Sequence, residues 1–348
     1  MGYVYILGGG TFSHIRNHLS LAAPAFGATA RQMEYLLRQK LDMMSQGHID
    51  GVQLCLTKMA DPTNSTLVTN EDVAALVDRI VLSASTKVLI FNVAMCDFDA
   101  DVVGAEIAPG AHASRLHSRA KEPPHLLLSP ARKVLRTIRT ERKDIYVVGF
   151  KTTTGATPQE QYLAGLTLLK ESGINLVLAN DVVTRLNMVI TPEESRYAET
   201  TDREDALNTL LDIVLSRSAM HYTRSTVVGT EADLVPWADP QIPTNLRTVV
   251  DFCVQAGAYK AFRGSTAGHF AVKLGEGRIL TSRRKTNFNE DLRLVRVDTD
   301  GADNVFAHGA RPSVGGQSQR IVFTEHPEAD CIVHAHVSLR EGAGQGTD

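Results

Sequence analysis

Two histidines stand two residues apart in an apolar run, EADCIVHAHVSL, residues 328–339. In a strand, side chains at i and i+2 leave on the same face, so His334 and His336 would point one way. A chain can grip a divalent metal like that. Zinc normally takes a third protein ligand, and no histidine or cysteine stands after Leu339. His269, His308, His326 or a neighbouring subunit are then the candidates to complete the shell. On the residues alone, the pair is either a ligand pair or two imidazoles facing polar neighbours.

A different chemistry is suggested by ILGGGT, residues 6–11, which follows a strand-like run. Gly8, Gly9 and Gly10 before Thr11 would let a backbone turn approach a phosphate and aim amides at it. The same residues would also make a plain tight turn, and neither GxGxxG nor GxxxxGK is present. Further on, SPARKVLRTIRTERK sets Arg132, Lys133, Arg136 and Arg139 at helical spacing, which reads as a solvated helix face ahead of a phosphate-binding one. Ser282, Arg283, Arg284 and Lys285 form a compact basic loop, an exposed positive turn or a phosphate holder.

The elements that must position these residues alternate in type. YVYILGGG, a helical period over GATARQMEYLLRQKLDMMSQG, GVQLCLTKM, a helix opened by Thr69 or Asn70, and KVLIFNVAM give β-α-β-α-β. That order predicts an α/β fold with a parallel sheet and helices on its faces. DIYVVGF, TPQEQYLAGLTLLKESG and INLVLAND repeat the pattern, and a helix from about 203 to 218 closes it. The proline-rich stretch VVGTEADLVPWADPQIPTNLR follows, so the expected organisation is a domain over 1–222, a linker over 223–244 and a smaller domain over 245–348. In the last, a helix at NLRTVVDFCVQAGAYKA precedes the strands HFAVKL, GRILTS and LRLVRVD. A helix over 317–325 and the histidine strand complete it.

Bulk properties narrow the class. A net charge of −3 with interspersed signs argues against a nucleic-acid surface. No apolar run approaches a membrane span, and no basic-then-apolar leader opens the chain. Cys55, Cys96, Cys253 and Cys331 lie singly in apolar runs without CxxC spacing, which reads as reduced core cysteines of a cytoplasmic protein.

The ordered series HIRNHLS, FNVAMCDFDAD, RLHSRAKEPPHLLLSPARKVL, YVVGFKTTTG and LVLANDV, taken with ILGGGT, resembles the phosphopantothenoylcysteine synthetase family over roughly residues 3–220. The resemblance implies a Rossmann-like, usually homo-oligomeric ligase. Its members use CTP or ATP with Mg2+ to activate the carboxylate of an anionic acid as an acyl nucleotidylate, which an amine then attacks. Carried over by motif, Gly8, Gly9, Gly10 and Thr11 fall on the phosphate-contacting turn and Asn17 on the holder of the activated acyl group. Asp97 falls on the aspartate of the alanine-aspartate-aromatic element. Phe150 falls beside the base, while Asn180 and Asp181 fall in the nucleotide pocket. Arg115 stands where the family has a lysine, and HLSLAAPAFG lacks the family's glycine-basic pair.

The stretch from about 245 to 339 resembles the class II aldolase/adducin family. GSTAGHFAVKL lies on its phosphate loop, and ARPSVGGQSQRIVFTEHPEADCIVHAH leads to its His-x-His. That implies a shortened aldolase-like α/β domain with Zn2+ or another divalent ion at His334 and His336. The family's acid/base glutamate falls on Gly315, and its loop asparagine on His269. The alternatives to a ligase are therefore a metal-dependent lyase or epimerase, or a non-catalytic adducin-like assembly protein.

Overall fold

The computed structural model describes residues 2–44, 48–119, 123–142, 144–192, 194–219, 225–259, 261–262, 264–266, 268–275, 277–299, 305–313 and 317–335. The chain divides into two compact units, Met1–Ala219 and Met220–Asp348.

The first unit runs β1 (Tyr3–Arg16), β2 (Leu19–Ala23), α1 (Ala28–Met43), β3 (Gly51–Leu56), α2 (Asn70–Leu82), β4 (Thr86–Ala94), β5 (Phe98–Val102) and β6 (Leu126–Pro130). It continues α3 (Leu135–Glu141), β7 (Tyr146–Thr153), α4 (Pro158–Ser172), β8 (Leu176–Asp181), β9 (Asn187–Ile190), β10 (Arg196–Thr200) and α5 (Arg203–Ser218). Five strands are parallel in the order β3-β1-β4-β7-β8, and β9 and β10 extend that edge antiparallel. This is a doubly wound α/β sheet of the Rossmann-like kind, with its reversal of strand order between β1 and β4. Ligand crevices in such sheets open at the carboxyl ends of the strands near that reversal.

The helices form where apolar residues recur at helical spacing and a cap closes the first turn. In α2, Val73, Val77, Ile80 and Val81 are buried, and Thr69 accepts from the Asp72 amide while the Asp72 carboxylate accepts from the Thr69 amide. This reciprocal cap satisfies donors that a helix start otherwise leaves open. Thr69→Ala is expected to cost about 1 kcal/mol, read as a shift in urea midpoint at constant m. Thr157 and Glu160 form the same cap on α4, with Pro158 at the first helical position. α2, α3 and α4 share one face, where Val77, Ile138 and Leu169 join Leu7, Leu89, Val147 and Val177 in one core. α1 meets β1 and β3, and α5 meets β9 and β10, on the other face.

Two features of this unit depart from the sequence reading. β1 does not stop at the glycines but continues to Arg16 and pairs with β2 as a hairpin. In addition, β5 and β6 pair as an antiparallel ribbon that the sequence did not suggest, with Leu126, Leu127 and Leu128 all exposed. Period-2 burial, the signal used to read a strand, is absent from β6, whose residues are all exposed, whereas β5 buries Ala100 and Val102 beside Ile15.

In the second unit the sheet order is β11 (Thr226–Val228), β17 (Val305–His308), β16 (Leu294–Thr299), β15 (Arg278–Ser282), β14 (His269–Gly275) and β18 (Cys331–His334). A short ribbon, β12 (Ala261–Phe262) with β13 (Ser265–Thr266), stands apart. α6 (Thr244–Gln255) buries Leu246 and Val250 against Phe270, Val272 and Leu280, and α7 (Gln317–Glu325) buries Phe323 against Ala271, Val295 and Val297. The stretch expected as a linker is partly built into this unit, since β11 pairs with β17 and Val235 exchanges both backbone hydrogen bonds with Leu294. All four cysteines are free, and only Cys96 is fully buried.

Candidate functional site

The parallel topology carries most of the expected site residues to one edge of the first sheet. Gly8–Gly10 and Thr11 lie where β1 leaves β3, Asp97 lies just beyond β4, Phe150 near the end of β7, and Asn180 and Asp181 close β8.

At the edge these residues do different things. Gly8, Gly9, Gly10 and Thr11 are fully buried. The glycines are needed for close packing inside a strand rather than for a turn. A Cβ on Gly8 would lie 2.3 Å from the Ala30 Cβ, and one on Gly10 would lie 2.0 Å from the Ala23 carbonyl oxygen. Gly9 also holds φ +106°, a conformation L side chains rarely adopt. Beside them, the Thr11 hydroxyl donates to Asn70 Oδ1 at 2.7 Å, and the Cys96 amide donates to Thr11 Oγ1 at 3.0 Å and to Asn70 Oδ1 at 3.2 Å. Asn70 Nδ2 returns a bond to the Cys96 carbonyl at 2.8 Å. The reversal point between β1 and β4 is thus filled by the protein's own polar groups.

Asp181 is 2 % exposed and organises the ends of β7 and β8. Its Oδ1 accepts from the amides of Gly155, Val183 and Thr184, and its Oδ2 from the Ala156 amide and the Thr153 hydroxyl, all within 2.9–3.1 Å. The Thr184 amide, helped by the Ala156 amide, the Thr153 hydroxyl and the Val183 amide, holds the carboxyl far below the usual carboxylate range. With five donors on two oxygens, Asp181 does not fit the role of a Mg2+ or ribose ligand. Asn180 Oδ1 accepts from the Thr152 hydroxyl at 3.3 Å.

The open space lies one strand further along. A cavity of about 330 Å³ sits over the ends of β4 and β7, between α3 and α4. Phe91, Val93, Met95, Leu135, Phe150 and Leu168 give it apolar walls, and Arg132, Lys133, Arg136, Lys151, Asp97 and Glu171 bring charge to its lining. Lys133 Nζ meets Asp97 Oδ1 at 2.5 Å, and Arg136 pairs with Glu171. Of the expected residues, Asp97 and Phe150 are therefore brought together here. The sequence does not show the cationic lining, because helical spacing groups Arg132, Lys133 and Arg136 with Arg139 on one solvated face. Arg139 instead turns away to bond the Gly173 and Ile145 carbonyls at 2.7 and 2.8 Å. The departure of Arg139 and the arrival of Lys151 from β7 have no local sequence signal.

Asn17 and Arg115 lie outside this lining. Asn17 is exposed at the tip of the β1–β2 hairpin, and its backbone N–H donates to the Ala113 carbonyl at 3.0 Å, two residues before the exposed Arg115.

In the second unit, His334 lies opposite His269 on the β14–β18 ladder, with the two rings stacked at 4.8 Å. His336 and Gly315 lie outside the described residues. Among the described residues no group of three or more His, Cys, Asp or Glu is arranged to hold a metal ion, and no helix is long and apolar enough to cross a membrane.

Several solved structures align with part of the chain. One described as a DNA/pantothenate metabolism flavoprotein from Streptococcus pneumoniae is 16% identical and aligns over 62% of this chain and 97% of its own, with a TM-score of 0.47. The C-terminal domain of the coenzyme A biosynthesis bifunctional protein CoaBC is 13% identical over 62% of this chain and 93% of its own, with a TM-score of 0.40. A Cab2 mutant in complex with phosphopantothenate-cysteine is 15% identical over 63% of this chain and 86% of its own, again at 0.40. No family model matches the sequence, and no curated protein matches it.

Proposed function

We propose that the first unit is a nucleotide-dependent acid–amine ligase that binds a nucleoside triphosphate in the cavity over β4 and β7. The observation that carries this reading is the cavity itself: apolar walls including Phe150, four cationic side chains, and a place at the carboxyl ends of parallel strands. Its volume falls at the lower end of the range that small-molecule sites occupy, roughly 300–1,000 Å³. An aromatic base fits the apolar part, and phosphates fit the lysine and arginine groups.

The residue pattern that resembles phosphopantothenoylcysteine synthetases supplies the reaction. A carboxylate oxygen attacks the α-phosphorus of CTP or ATP and pyrophosphate leaves. The amine nitrogen then attacks the acyl carbon, loses a proton, and the nucleoside monophosphate leaves. Asn17, at an exposed hairpin tip, is the candidate donor to the acyl oxygen as negative charge develops there. Mg2+, bound by the nucleotide's own phosphates, would offset their charge. Incubation with CTP or ATP, Mg2+ and anionic carboxylic acids, phosphorylated ones included, is expected to release pyrophosphate only when acid is present. Folded protein that releases none with any acid contradicts the reading.

A second reading concerns the other unit, where the aldolase- or adducin-like resemblance bears on one observation, the stacked imidazoles of His269 and His334. A divalent ion held there would be lost in His334→Ala, as elemental analysis of the purified protein would show. A non-catalytic, adducin-like role predicts no stoichiometric ion in either protein.

A further inference from the structure

The cavity carries its own counter-charges. Lys133 and Arg136 stand three residues apart at the start of α3, and each is paired with a carboxylate from a different element, Asp97 after β4 and Glu171 near the end of α4. All four side chains are half exposed or more, between 51% and 73%. Pairs of that exposure are weak and exchange readily with another anion of better geometry. By contrast Arg132 has only the Thr137 hydroxyl, at 3.4 Å, as a hydrogen-bond partner among the described residues, and no carboxylate there pairs with it or with Lys151. The lining thus holds two cations ready for a ligand and two that are occupied but releasable.

We infer that Lys133 and Arg136 anchor the ligand's phosphate groups and that Asp97 and Glu171 are built-in competitors for them, so that the cavity selects its ligand by charge. A triphosphate offers several anionic oxygens, can take the Arg136 fork bidentately and the Lys133 ammonium as a point charge, and leaves the two carboxylates to water. A nucleoside has nothing to exchange for either pair and must bind by its base alone. This deepens the nucleotide reading and rests on it. It also gives Asp97 a specificity role in place of a metal-binding or catalytic one, and makes Glu171 and Arg136, which no motif marks, determinants of the same site.

The test compares binding of CTP, ATP, CMP, AMP, cytidine, adenosine and inorganic tripolyphosphate to the full chain and to Glu171→Gln, Asp97→Asn and Arg136→Gln. The altered groups are exposed, and circular dichroism is the check that each variant folds. Glu171→Gln and Asp97→Asn are expected to strengthen triphosphate binding about threefold each, the scale of an exposed ion pair, and to leave the nucleosides unchanged. Arg136→Gln is expected to weaken triphosphates about tenfold or more, as loss of a charge-assisted contact does. Nucleotides that bind with equal strength whatever their phosphate number, or triphosphate binding indifferent to all three substitutions, overturns charge selection while the nucleotide reading stands. Tripolyphosphate that binds and responds to the substitutions, with no gain from any base, keeps the anchors and removes the nucleotide reading. Failure of every ligand to bind overturns both.

Discussion

Gly10→Ala is expected to destabilise the first unit by about 3 kcal/mol or more, the range of severe overpacking. The added Cβ would lie 2.0 Å from the Ala23 carbonyl oxygen and 2.7 Å from the Ala25 amide nitrogen. Both are backbone atoms, one at the end of β2 and one two residues beyond it, so neither can swing aside as a side-chain tip would. Relief requires moving the end of β2, and the chain that leads from it into α1, away from β1. Gly110→Ala is the control, because nothing lies within 4 Å of its Cβ position and its φ is not positive. That variant is expected to unfold at the wild-type urea concentration. Equal midpoints for the two substitutions would mean that the glycine run is not a packing device. The run would then return to the reading as a flexible phosphate turn.

Asp181→Asn carries the second large effect. An amide in place of the carboxylate turns an NH2 toward donors, so at least two of the five present hydrogen bonds lose their acceptor. The loops after β7 and β8 both depend on this one side chain, and the expected fall in melting temperature is on the order of 10 °C. The substitution also removes a pH dependence whose sign follows from the depressed folded pKa. An unfolded aspartate titrates near 3.9, so the contribution of Asp181 is fully present above that value and is lost as pH falls from about 4 toward the lower folded value. Wild-type stability should therefore decline through that acid window, while Asp181→Asn, already weakened, should decline less. Parallel acid profiles for the two proteins would contradict the assignment.

The succession of helices and parallel strands was legible because each buried face repeats with its own period. The helix expected over 203–218 and the one over 317–325 match the observed α5 and α7, and of the two caps expected for α2, Thr69 and Asn70, the structure has Thr69. The β5–β6 ribbon was not legible, since an exposed run of three leucines breaks the alternation by which a half-covered strand is recognised. At the site, Asp97 lies just beyond β4 and Phe150 near the end of β7, but sequence gave no means of telling a glycine that admits a ligand from one that admits a neighbouring strand. Asp181 shows the same ambiguity. An acidic residue at a strand end looks alike whether it awaits a ligand or ties two loops together. Arg132, Lys133 and Arg136 were visible as charge, whereas their convergence with Lys151 and Glu171 depends on how α3 and α4 lie over β7.

The central claim is that a nucleoside triphosphate occupies the cavity between α3 and α4. Calorimetric titration of CTP and ATP into the wild-type protein and into Ala164→Phe, which would fill the cavity from α4, tests it most directly. Saturable heat with the wild type and none with the filled variant, at unchanged circular dichroism, is the expected result. Undiminished binding to the filled variant would put the nucleotide elsewhere, and no binding to the wild type would remove it altogether.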